Sequence, residues 1–201
     1  MTDLEARTVN EVVEAEVTQF WLRPGERLVL AVDPMRGYAA TVVGGQVRVP
    51  HVAIRPTPAV TTEPPKWPLP VQGALDDWTD DPTLAYWAAG QSPDQLAIRV
   101  ADHLAASHGD ARLVLTDQRV AVLYPSKILA EPSPDGPFTT FEQAPATAVR
   151  GFVALLSGRS VPPCPVLRID FADGSTLLVR DVLAAKKVVR SQTASRGPRS
   201  H

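Results

Sequence analysis

Residues 112–124 read RLVLTDQRVAVLY and constrain this chain more than any other stretch. Two apolar runs, one ending at Leu115 and one beginning at Val120, flank the polar step Thr116-Asp117-Gln118-Arg119. Runs of Leu and Val around a turn-forming Asp specify a tight β-hairpin. A second hairpin is written at residues 166–171 and 175–179. There Leu167, Ile169 and Phe171 alternate with Arg168 and Asp170, and Ala172-Asp173-Gly174 makes the turn. A third spans residues 38–43 and 46–49 across Gly44-Gly45, a dipeptide that readily takes the positive φ of hairpin turns. Period-two alternation predicts that Leu113, Leu115, Val120, Val122, Leu167, Ile169 and Phe171 are buried in one antiparallel sheet.

Helical signals lie around these strands. Thr2 and Glu5 form a capping box opening a helix that runs to about Phe20. Val9, Val12, Val13, Val17 and Phe20 make its apolar stripe, and Glu11, Glu14 and Glu16 its polar face. Arg23-Pro24-Gly25 stops the helix, and residues 26–32 read as a strand. Residues 50–70 are dense in proline, which removes backbone donors and breaks regular structure. Ser92-Pro93 with Asp94 predicts a second helix, running to about Ser107 with Leu96, Ile98, Val100, His103 and Leu104 near its buried side and Gly109 at its end. A second Pro-rich loop covers residues 131–137, a strand residues 146–156, and a short helix residues 181–189. The polar tail, residues 191–201, is expected to be disordered.

Three of these segments carry a resemblance to a family. Pro24-Gly25-Glu26 before an apolar strand, Thr116-Asp117-Gln118-Arg119 between two strands, and FADGSTLLV followed by a helix resemble the bacterial pleckstrin-homology-like (PH-like, GRAM-like) domains. The resemblance covers residues 23–32 and 112–189, and it implies a small antiparallel barrel that binds or scaffolds. Eukaryotic members often bind phosphoinositides. The clustered loop Lys and Arg that inositol phosphates require are missing around Arg27 and Arg36, so lipid binding is not carried over.

Composition narrows the function. The chain has 201 residues, 44% of them apolar, and a net charge of −2, so no global basic field recruits nucleic acid. Cys164 is the single cysteine, which rules out an internal disulfide and fits a reducing cytosol. No apolar run reaches the roughly 20 residues that span a bilayer, and Asp3, Glu5, Glu11 and Glu14 oppose a secretory leader. A cytoplasmic location is expected.

Catalytic and metal motifs are weak. Asp76-Asp77-Trp78-Thr79-Asp80 fits the D-D-x-x-D pattern that holds Mg²⁺ on a long helix, but here it follows a Pro-rich loop and precedes Pro82, so it reads as a solvated acidic loop. His51, His103, His108 and His201 are spread out, and His103 and His108 sit at the wrong spacing to chelate. Cys164 lies between two prolines, away from any helix N-terminus that would lower its pKa. Ser157-Gly158 lacks the G-x-S-x-G frame, and Gly44-Gly45 lacks the following Lys of a phosphate loop. Lys186, Lys187 and Arg190, with Arg196 and Arg199, make the C-terminal end locally basic and are the candidate binding residues for an anionic surface. The segment around Trp67 and Leu69 reads either as a polyproline recognition motif or as cover for the chain's own core.

The reading is an α+β protein: an N-terminal helix over residues 1–21, a PH-like antiparallel barrel or sandwich over 22–190 with a Pro-rich and helical insertion at about 50–110, and a tail. Its expected function is non-catalytic binding or scaffolding with a protein partner, without cofactor, metal or nucleic acid. A peripheral module for anionic membrane lipid, and a small enzyme with an unrecognised site, are the competing readings.

Overall fold

Strand-forming segments pair into two sheets, shown by a computed structural model that describes residues 3–64, 66–70, 78–134 and 136–195. Among the described residues the fold is α+β, with three α-helices and two mostly antiparallel sheets that do not close into a barrel. The first sheet has four antiparallel strands in the order β1 (Leu28–Ala31), β5 (Arg112–Thr116), β6 (Arg119–Pro125), β7 (Phe138–Pro145). The second has six, in the order β3 (Gln46–Arg48), β2 (Tyr38–Val43), β4 (Leu84–Gly90), β10 (Thr176–Arg180), β9 (Cys164–Phe171), β8 (Val149–Ser157). Only β2 and β4 run parallel, with Ala40 opposite Trp87. The helices are α1 (Asp3–Phe20), α2 (Leu96–Ala106) and α3 (Ala184–Ser195).

The main core takes Leu113, Leu115, Val120 and Val122 from the first sheet, and Leu167, Ile169, Phe171, Leu177 and Val179 from the second. Ile98, Val100 and Leu104 of α2 join it. Each such side chain contributes about 1.5–3 kcal/mol on leaving water. The seven residues expected in one sheet are all buried, but they belong to two sheets that share a core. Alternation specifies which face is buried and leaves open which strands pair. The central hairpin is buried on both faces, because Val114, Ala121 and Leu123 pack against Val13 and Val17 of α1. A strand covered on both sides reads as a continuous apolar run, which is the pattern of residues 113–115 and 120–123.

Several local expectations change. In α1, Ala6, Asn10, Val13 and Val17 face inward while Val9, Val12 and Phe20 are exposed, so the buried stripe is narrower and rotated; Thr2 of the capping box lies outside the described residues. Helix α2 begins at Leu96, not at Ser92-Pro93, because its first amides are capped from elsewhere in the chain. Asp173 accepts the Leu96 N–H at 2.6 Å and Ser175 Oγ the Ala97 N–H at 3.1 Å. The turn of the β9–β10 hairpin is therefore the cap of α2. Strands β4 and β7 have no counterpart in the sequence reading, and β4 lies mid-sheet between β2 and β10. The segment read as an insertion thus supplies a central strand and a core helix. Helix α3 continues to Ser195, into the tail expected to be disordered.

The two most recognisable sequence motifs touch each other. Glu26 of Pro-Gly-Glu receives Arg119 Nε on Oε1 at 2.8 Å and Arg119 Nη2 on Oε2 at 2.9 Å. Thr116 donates to the same carboxylate at 2.6 Å, and the Arg23 N–H at 3.0 Å. The Arg119 guanidinium lies 3.8 Å from the Trp21 ring centre. Asp117 holds the Arg27 backbone N–H and side chain on the surface above. Each polar residue of the Thr-Asp-x-Arg step except Gln118 thus fastens the end of α1 and the start of β1 to the central hairpin.

Candidate interaction surface

The sequence-predicted basic residues on α3 face three different surroundings. Lys187 is buried, its Nζ lying 2.7 Å from Asp181 Oδ2 and 3.0 Å from Asp33 Oδ2. Burial pushes the Asp33 carboxyl up to about 6, against the pull of the Lys187 charge. Arg190 pairs with Glu14 of α1. Lys186 and Arg190 are both exposed, and only Lys187 is withdrawn from solvent. Arg196 and Arg199 lie outside the described residues. Lys187 and Arg190 therefore tie α3 to the body of the domain.

The histidines separate in the same way. His51 Nε2 lies 2.7 Å from Asp102 Oδ1, and its Nδ1 lies 2.9 Å from Thr41 Oγ1. With Asp102 accepting from Nε2–H, Nδ1 of the neutral ring accepts the Thr41 hydroxyl. Hydroxyl, imidazole and carboxylate then stand in the order of a nucleophile relay. Acyl transfer also needs an exposed nucleophile, and Thr41 is fully buried mid-strand. Asp102 additionally accepts the Ile54 and Arg55 N–H groups, so the relay pins the Pro-rich strap to α2. A spacing search misses this cluster because its members come from a strand, a strap and a helix. His103 contacts the Tyr124 hydroxyl at 3.1 Å beside a cleft of about 360 Å³, and burial holds its ring below the ordinary value.

In the acidic motif, Trp78, Thr79 and Asp80 form a single 3-10 turn, while Asp76 and Asp77 lie outside the described residues. Trp78 is buried against Trp87, with ring centres 6.4 Å apart, and Asp80 accepts the Arg159 N–H. The motif's Trp is a core residue. Trp67, in contrast, stays half exposed, joined to Tyr38 by a hydrogen bond to its carbonyl, and Leu69 is exposed. Cys164 begins β9, half buried and 3.4 Å from Arg180. Among the described residues no cluster of three metal-ligating side chains forms.

Among the described residues the longest edge strand is β8. Strand β8 reads VRGFVALLS, ends the six-stranded sheet, and pairs only with β9. None of its nine residues is fully buried. Val153 is 48% exposed and Leu156 68%, and Val161 in the following loop 98%. On the inner side, Phe152 and Ala154 pack on the main core, where Ala184 and Val188 of α3 also sit. The strand holds no Pro or Lys and one charge, Arg150, at the irregularity between Val149 and Gly151. Edges are ordinarily blunted by charges, prolines or cover. This one is nine residues long, mostly apolar and paired on one side only, with α3 packed on its inner face.

No protein-family model matches this chain, and neither a curated protein nor a solved structure shows significant similarity to it. Among the described residues no helix is long and apolar enough to cross a membrane.

Proposed function

We propose that this chain is a non-catalytic, PH-like protein-interaction module of the cytoplasm, and that it captures its partner by strand addition at β8. The observation that carries this reading is the nine-residue apolar edge, since an unpaired row of backbone donors and acceptors is a template for another strand. The PH-like assignment draws on the contact between Pro-Gly-Glu and Thr-Asp-x-Arg and on the helix after the last hairpin. Against the lipid reading stand the burial of Lys187 and the pairing of Arg190 with Glu14. Against the enzyme reading stands the burial of Thr41.

The test is affinity capture from the native host with the full chain and with Leu156→Lys as baits. A partner held by the full chain and lost by the variant supports the reading. Equal capture by both overturns the assignment of β8. Salt-sensitive flotation with anionic phosphatidylserine vesicles, in the absence of any captured protein, would replace it with the lipid reading.

A further inference from the structure

Backbone polarity along β8 can be worked out from its neighbours. The Phe171 N–H bonds to Ser175 on the β10 side, and the Ala172 N–H bonds to Ala148 on the β8 side. Antiparallel alternation then turns Asp170, Arg168 and Val166 toward β8, where they face Gly151, Val153 and Leu155. Phe152, Ala154 and Leu156 consequently direct their N–H and C=O groups outward, away from β9.

Those three positions are symmetric about Ala154. From this symmetry we infer that β8 pairs with β8 of a second copy of this chain, antiparallel and centred on a two-fold axis at Ala154. The inference rests on the strand-addition reading and names the strand that is added. In this register Ala154 exchanges both hydrogen bonds with Ala154 of the partner subunit, and Phe152 exchanges both with Leu156 of the partner subunit. Val153 faces Leu155 of the partner subunit in a non-hydrogen-bonded pair, where side chains approach most closely. Gly151 and Ser157 of the partner subunit close the ladder. Every pair within it is apolar or small, so exposed Val153 and Leu156 are covered and no like charges meet.

Charge fixes the ends. Just beyond the ladder, the bulge at Arg150 comes to the end where the chain of the partner subunit turns at Gly158. A Cβ on Gly158 would lie 2.6 Å from Asp80 Oδ1, so that glycine has an exposed carboxylate directly beside it. The register therefore brings the only charge of β8 to an acidic group, twice by symmetry. A shift by one residue would direct the outward amides of each strand against groups turned inward, and a shift by two would part Arg150 from Asp80.

The experiment is sedimentation velocity on the full chain across the micromolar range, with hydrogen exchange read at Phe152, Ala154 and Leu156. The expected result is a dimer in which those amides gain protection as concentration rises. Leu156→Lys, at an exposed position, should weaken association by about tenfold or more. Ala154→Pro removes an outward N–H that an isolated edge strand does not need and should yield a monomer. Arg150→Glu should weaken the dimer most at low salt. A monomer with unprotected β8 amides at every concentration overturns the inference, as does a dimer indifferent to Leu156→Lys. In either case a host protein still captured in a Leu156-dependent way leaves the strand-addition reading standing, whereas its absence removes both.

Discussion

Glu26 and Arg119 meet through two parallel hydrogen bonds in the interior, joining motifs that lie far apart in sequence. Burial alone would raise the Glu26 pKa. The hydrogen bonds from Arg119, Thr116 and the Arg23 N–H, with the Arg119 charge, outweigh it and hold the carboxyl down to about 2. Removing one partner leaves the other as an uncompensated buried charge. Arg119→Ala should therefore cost about 3–5 kcal/mol in urea unfolding. The double variant Glu26→Met with Arg119→Leu should lose much less than the sum of the single changes.

The same pair makes stability depend on acid. The folded pKa of Glu26 lies below its unfolded value of 4.5, so its contribution is complete above that pH and is lost as pH falls toward 2. The unfolded chain binds the extra proton in that window. Glu26→Gln should flatten the fall of Tm between pH 4.5 and 2 relative to the parent chain. An identical acid slope in both would refute the assignment.

Asp33 works with the opposite sign. Its folded pKa, about 6, lies above the usual 3.8, so the folded state holds the proton and stability declines as pH rises between those values. Asp33→Asn should remove that decline while Asp181 still holds Lys187. Lys187→Met, which leaves two carboxylates facing each other, should lower Tm strongly at pH 7 and partly recover it at pH 5.

The cap of α2 gives a quieter signal. Asp173→Ala frees the Leu96 N–H and should cost about 1–2 kcal/mol, read by thermal unfolding. Hydrogen exchange should quicken at the first turn of α2 and in the β9–β10 turn together, because one carboxylate serves both.

Pinning of the Pro-rich strap depends on Asp102. Asp102→Ala leaves His51 and the Ile54 and Arg55 amides without their acceptor, a loss of about 2–4 kcal/mol. Limited proteolysis should then cut the strap around residues 52–58 in an otherwise folded chain.

The hairpins, the helices and the position of the Pro-rich strap were legible because each rests on local chemistry: alternation, turn residues and missing amide donors. Strand β4 was not, since LAYWAAG is buried on both faces and shows neither period, and its small residues mask strand propensity. Strand β7 escaped for the opposite reason, its Thr and Gln facing partial solvent at an edge. The basic cluster at Lys186, Lys187 and Arg190 is visible as charge, but of the two carboxylates that take up Lys187 only Asp181 is near in sequence, and Asp33 comes from far away in the chain. From sequence β8 reads only as a strand, because whether a strand lies at the centre or the margin of a sheet is decided by its neighbours.

Strand β10 fits between β4 and β9, so the last strand of the fold is the one that joins the two halves of its larger sheet. During synthesis β4 emerges early and keeps one side unpaired until residues 176–180 have cleared the ribosome. Without β10, the β3-β2-β4 and β9-β8 parts of the sheet have no strand pairing between them. The fold is thus committed late, and a nascent chain stopped before Thr176 would present two open sheet margins to the chaperones of its cell.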